Sequence, residues 1–114
     1  MKSSLLLILV LAFAACASSV NAEPRTAAER TVARGLAYAN EVCANCHAVT
    51  PGQASPASEA PTFPDIANMP GLTETALEAW LRSDHPSMPN IIVERRNVHR
   101  LYAYLQTLKR DSGN

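Results

Sequence analysis

From Thr26 onward apolar side chains recur at helical spacing: Val32, Leu36, Ala39 and Cys43 fall three or four residues apart and share one face. Thr26 and Glu29 stand where a capping box closes a first turn, so the pattern predicts a helix over residues 27–42 that delivers the chain to Cys43. A second apolar face, Leu77, Trp80 and Leu81, follows Thr73, whose hydroxyl can cap a helix; Leu72 and Leu77 are placed to staple its entry, and Ser83 and Pro86 stop it. Val98, Leu101, Leu105 and Leu108 predict a third helix over residues 94–109. Residues 48–71 carry Pro51, Pro56, Pro61, Pro64 and Pro70 with Gly52 and Gly71, and read as a loop without a helix. Only Ile91, Ile92 and Val93 suggest a brief extended stretch, no internal repeat is present, and the expected class is all-α.

The 114 residues suffice for a single domain. Lys2, an apolar run over residues 5–15 and the small residues around Ala22 form the three parts of a secretory signal peptide. The expected division is a signal peptide at residues 1–22 and one domain at residues 23–114, exported to the periplasm. The apolar run is shorter than the about 20 residues that cross a bilayer, so no membrane span is expected. The run also ends Phe13-Ala14-Ala15-Cys16, which loosely resembles a lipoprotein signal. Phe13 stands where such signals place Leu, and cleavage after Ala22 is preferred to a lipid anchor on Cys16.

A domain this small has a marginal core and leans on a disulfide, metal or cofactor. A loop longer than about 20 residues points the same way, because a compact domain tolerates one when it wraps something bulky. Cys43-Ala44-Asn45-Cys46-His47 supplies the chemistry. It is the C-x-x-C-H pattern of covalent haem attachment. Two cysteines three residues apart on a helical turn can form thioethers along one edge of a haem, and the adjacent imidazole then lies under the iron as proximal ligand. The bland alternatives are a disulfide, a thioredoxin-type redox pair and half a zinc site. The redox motif needs a βαβ context that is missing, and zinc needs a second ligand pair where only His85 and His99 remain.

The sixth iron ligand is to be chosen among Met69, Met88, His85 and His99. Met88 is preferred: Pro86 and Pro89 stiffen its loop, and the stretch from His47 is long enough to pass around a haem edge and return on its other face. Met69 precedes the second helix and is expected to pack against haem or core. A haem ligated by His47 and Met88 has no vacant position, so it exchanges single electrons and is not an enzyme site; Met ligation and apolar burial both favour the ferrous form. The alternative is a haem protein with an open sixth site that binds small ligands or serves as an enzyme subunit.

These residues resemble the class I c-type cytochromes: Gly35 eight residues before Cys43, the attachment motif, Leu77, Trp80 and Leu81 ahead of Met88-Pro89, and a closing Leu101-Tyr102-Ala103-Tyr104-Leu105. The resemblance covers residues 30–108. It implies a small cytochrome c fold, three main helices plus long loops wrapped around one covalent haem c and its iron. It implies that Gly35 lets the first and last helices cross closely, against Leu101 and Tyr104. It also implies that a proline carbonyl after the motif orients His47; Pro61 matches best, with Pro51, Pro56 and Pro64 as alternatives. Trp80 would reach a haem propionate or serve as a core aromatic with a wet edge. One departure is Ala39, where the family often has an aromatic residue; Tyr38 is adjacent.

Charge narrows the partners. Residues 23–89 carry four arginines against eight acids, and residues 90–114 five bases against two acids. That balance excludes nucleic acid as a partner. The expected partners are a redox protein donor and acceptor in brief docking, with the carrier a monomer. Arg95, Arg96 and Arg100 form a basic patch that would guide an acidic partner or be an ordinary solvated helix face.

Overall fold

The computed structural model describes residues 26–84 and 86–110; the segment expected to be a signal peptide, with Cys16, and His85 lie outside these. Among the described residues four helices follow in order, α1 (Ala27–Val42), α2 (Phe63–Ala67), α3 (Glu74–Leu81) and α4 (Arg95–Thr107), and no strand occurs. None of these helices is long and apolar enough to cross a membrane.

Side-chain caps set three of the four helix starts. The Thr26 hydroxyl accepts from the Glu29 N–H at 3.1 Å while the Glu29 carboxylate accepts from the Thr26 N–H at 2.7 Å, the reciprocal box that starts α1. Thr73 caps α3 by accepting from Ala76 N–H at 3.0 Å. Glu94 makes no side-chain cap for α4. That helix is held instead by the face Val98, Leu101, Tyr104 and Leu105, each at most 5% exposed. Burying one such aliphatic side chain contributes about 1.5–3 kcal/mol, more than the roughly 1 kcal/mol of a cap.

The short α2 corrects the expectation of a loop without a helix over residues 48–71. Thr62 accepts from Asp65 N–H at 3.2 Å and donates to the Asp65 carboxylate at 2.7 Å, and Pro64 occupies the first turn. Proline breaks a helix interior because it removes an N–H and clashes one turn back, but in the first turn that N–H has no helical partner to lose. The preceding residues are pinned to the motif: Ala57 N–H donates to Cys46 O at 3.1 Å, Ala48 N–H to the Ser55 hydroxyl at 3.0 Å, and Phe63 N–H to Ala48 O at 2.8 Å.

The core lies where α1 crosses α4, with Ala39 fully buried and Val98, Leu101, Tyr104 and Leu105 against it. A Cβ at Gly35 would overlap the Arg100 carbonyl oxygen and stand 2.9 Å from Tyr104 Cβ, so the two backbones touch there. The contact thus falls on Arg100 and Tyr104, where Leu101 and Tyr104 were expected. Ala39, in place of an aromatic residue, fits the same closeness, while Tyr38 packs half-buried on the core's edge. Two long-range polar ties complete the frame. Tyr104 donates its hydroxyl to Val49 O at 2.6 Å. The Asn68 amide donates to Pro64 O at 2.7 Å and Leu108 O at 3.2 Å, and accepts from Arg110 N–H at 3.0 Å, closing the end of α4.

Candidate functional site

The end of α1 builds the first wall of the site. Cys43 and Ala44 N–H both donate to Ala39 O, and the next turn is closed by Cys46 and His47 N–H donating to Cys43 O at 3.1 and 2.9 Å. This turn brings Cys43, Cys46 and His47 to one side of an apolar cavity of about 390 Å³. The two sulfurs are not joined to each other. Burial pushes the Cys43 thiol up to about 11, so it stays protonated near neutral pH. A protonated thiol is a poor nucleophile for disulfide exchange.

His47 is only 8% exposed, with Phe63 edge-on at 5.9 Å between ring centroids. Its Nδ1 lies 2.7 Å from Pro61 O. A carbonyl can only accept, so Nδ1 carries the proton and donates, which leaves the Nε2 lone pair as the ring's ligating position. Pro61, Phe63 and Ile66 continue the wall; Leu77, Trp80 and Leu81 come from α3, Leu101 and Leu105 from α4, and Met88 with Pro89 from the α3–α4 connection. Met88 is half-buried, and Asn90 donates its amide to the Asp84 carboxylate at 2.8 Å, tying the ends of the segment that carries it.

The residues singled out from the sequence thus meet: Cys43, Cys46, His47, Pro61, Trp80 and Met88 all line one cavity. Met69 lines it too, 47% exposed, so it belongs to the cavity rim and not to the core. His99 does not reach the cavity; its Nδ1 lies 3.1 Å from the Glu74 carboxylate, linking α4 to the first turn of α3. Trp80 is 46% exposed on the rim. Sequence reasoning missed Ser55 and Ile66, for which no local signal exists, since each acts through partners brought in by the loop. The basic patch is also divided: Arg95 turns to Glu78 at 3.5 Å, whereas Arg96 and Arg100 face α1.

No protein-family model and no solved structure matches the chain. The cytochrome c-552 of Bradyrhizobium diazoefficiens is 32% identical over 101 residues, 89% of this chain and 90% of that protein. The chain belongs to the class I c-type cytochromes. The cofactor of such a cytochrome is covalently held haem c with its iron, and the residues present fit it: an apolar cavity, two separate thiols on its wall, and a buried imidazole whose proton is fixed on Nδ1.

Proposed function

We propose that this cytochrome is a mono-haem, one-electron carrier of the periplasm and not an enzyme, with Cys43 and Cys46 as the thioether residues, His47 as proximal iron ligand and Met88 as distal ligand. The observation that carries the reading is the His47–Pro61 hydrogen bond in the wall of a cavity that Met88 also lines. When bound, the haem supplies a one-electron iron couple. The chain's own part is to hold and insulate it. Pro61 fixes the imidazole's orientation and raises its basicity. The apolar wall from Phe63, Leu77, Leu101 and Leu105 keeps water away, and that exclusion together with a thioether ligand favours the ferrous state. Trp80, on the cavity rim, would offer its indole N–H to a haem propionate. The charged, apolar and small-residue pattern over residues 1–22, which reads as a signal peptide, supports export.

The absorption spectrum of the oxidised protein tests the reading. A weak far-red band from sulfur-to-iron charge transfer is expected in the wild type and lost in Met88→Ala. Its absence from the wild type, with rapid cyanide uptake, would replace the carrier with a ligand-binding haem protein.

A further inference from the structure

We infer that Tyr104 of α4 is a positioning residue for His47: its hydroxyl, acting through Val49, fixes the direction of the imidazole relative to the crossing of α1 and α4. The inference rests on the reading of His47 as iron ligand. His47 donates from Nδ1 to Pro61 O at 2.7 Å, and close by Phe63 N–H donates to Ala48 O at 2.8 Å. The chain itself links His47 to Ala48 and Pro61 to Phe63, so the two bonds close residues 47–48 and 61–63 into one clamp. The rings continue it: Phe63 stands edge-on to His47 at 5.9 Å between centroids and lies tilted against Tyr104 at 6.4 Å.

The backbone of His47 is held by the turn that begins at Cys43. The direction of its ring depends on where Pro61 stands, and therefore on the clamp. Both sides of the clamp's two bonds belong to residues between α1 and α3, so those bonds alone do not fix it against the long helices. Tyr104 supplies the tie, donating its hydroxyl at 2.6 Å to the carbonyl of Val49, the residue next to the clamp.

Packing alone does not call for that hydroxyl. A phenylalanine would fill the same place beside Phe63 and over the bare backbone of Gly35. A buried phenol costs free energy unless its proton finds an acceptor, and here the proton is spent on the segment that carries the imidazole. Tyr104 also stands at the helix contact, its Cβ 2.9 Å from a Cβ placed on Gly35, and α1 leads directly into Cys43 and Cys46. The imidazole and the two thiols are thus referred to one rigid crossing, an arrangement that would keep the ligand direction unchanged when an electron arrives or leaves.

Exchange of the His47 Nδ1 proton in the reduced, haem-loaded protein tests this by proton NMR. Tyr104→Phe keeps the ring and removes the bond. A net hydrogen bond is worth about 2–10-fold in an opening equilibrium, and the His47 Nδ1 proton and the Phe63 N–H are expected to exchange faster by that factor, together. Thr26→Ala is the control, because it removes the capping box of α1 at a similar cost to overall stability but lies outside the clamp. In that variant His47 exchange should stay within about twofold of the wild type. Equal acceleration in both variants would mean that Tyr104 serves stability alone and would overturn the inference. So would unchanged exchange in Tyr104→Phe, or acceleration at only one of the two protons. In the wild type, where no variant has to fold, the two protons should share one protection factor to within about threefold, and a larger difference would also overturn it. Hyperfine-shifted His47 ring signals in the oxidised wild type check the ligand reading separately. Their absence would remove His47 as ligand and the inference with it, whereas their presence beside unaltered exchange in Tyr104→Phe would fault only the role of Tyr104.

Discussion

Replacing Gly35 by Ala probes the contact on which the frame of the site depends. The added methyl would overlap the Arg100 carbonyl oxygen, with the Arg100 carbonyl carbon at 2.7 Å and Tyr104 Cβ at 2.9 Å. The obstacle is mainly helical backbone, which cannot rotate away, so α1 and α4 must separate. Overpacking in ordinary cores costs about 1–3 kcal/mol, and a backbone obstacle places this case at the upper end. Ala returns about 1 kcal/mol through its better helix propensity, leaving a net loss of about 2 kcal/mol. For a domain of this size each kcal/mol moves the melting temperature by about 4–8 °C, so a drop of about 8–16 °C is expected. The assay is thermal unfolding of the haem-loaded protein followed by far-ultraviolet circular dichroism. Gly52→Ala is the control: Gly52 has φ +78° and nothing within 4 Å of a Cβ, so only backbone strain of about 1 kcal/mol should appear. A Gly35→Ala protein as stable as the wild type, or more so, would refute the close crossing.

Other expected outcomes follow from single contacts. Tyr104→Phe removes the 2.6 Å bond to Val49 O and should cost about 1–2 kcal/mol in urea unfolding at neutral pH. Burial raises the Tyr104 phenol above its ordinary value of 10.0, so the folded state keeps that proton longer than the unfolded one. This contribution is present below about pH 10 and lost as pH rises through the folded value; the wild type should therefore lose stability above pH 10 more steeply than Tyr104→Phe, and equal slopes would contradict the argument. Asn68→Ala leaves Pro64 O, Leu108 O and Arg110 N–H without the side chain that joins them, and a loss of about 1–3 kcal/mol is expected by urea unfolding. Thr62→Ala removes the cap of α2, at about 1 kcal/mol. Because Pro61 is the neighbouring residue, the His47 Nδ1 proton should also exchange faster in that variant, as proton NMR would detect.

Much of the fold was legible in the sequence because its signals act over three or four residues. The Thr26–Glu29 box, the Thr73 cap and the apolar faces marked α1, α3 and α4 closely, and α1 runs over Ala27–Val42 as its pattern required. The attachment motif is equally local, since Cys43, Cys46 and His47 occupy one turn. α2 escaped notice because Pro64 was read as a breaker, although its place in a first turn makes it compatible with a helix.

What the sequence by itself determined was therefore the helices, their caps and the chemistry of one short motif. Only the tertiary structure decided which distant groups meet. Several prolines follow His47, and the path of the loop selects Pro61 as the partner of its Nδ1. The arginines read as one patch on α4 were divided by packing, which turned Arg95 to Glu78 and set Arg96 and Arg100 against Arg30 and Arg34 of α1. Periodicity says which face of a helix is apolar, but two helices can meet at many angles and offsets. The bare backbone of Gly35 on Arg100 selects one of them, and with it every contact between residues far apart in the chain.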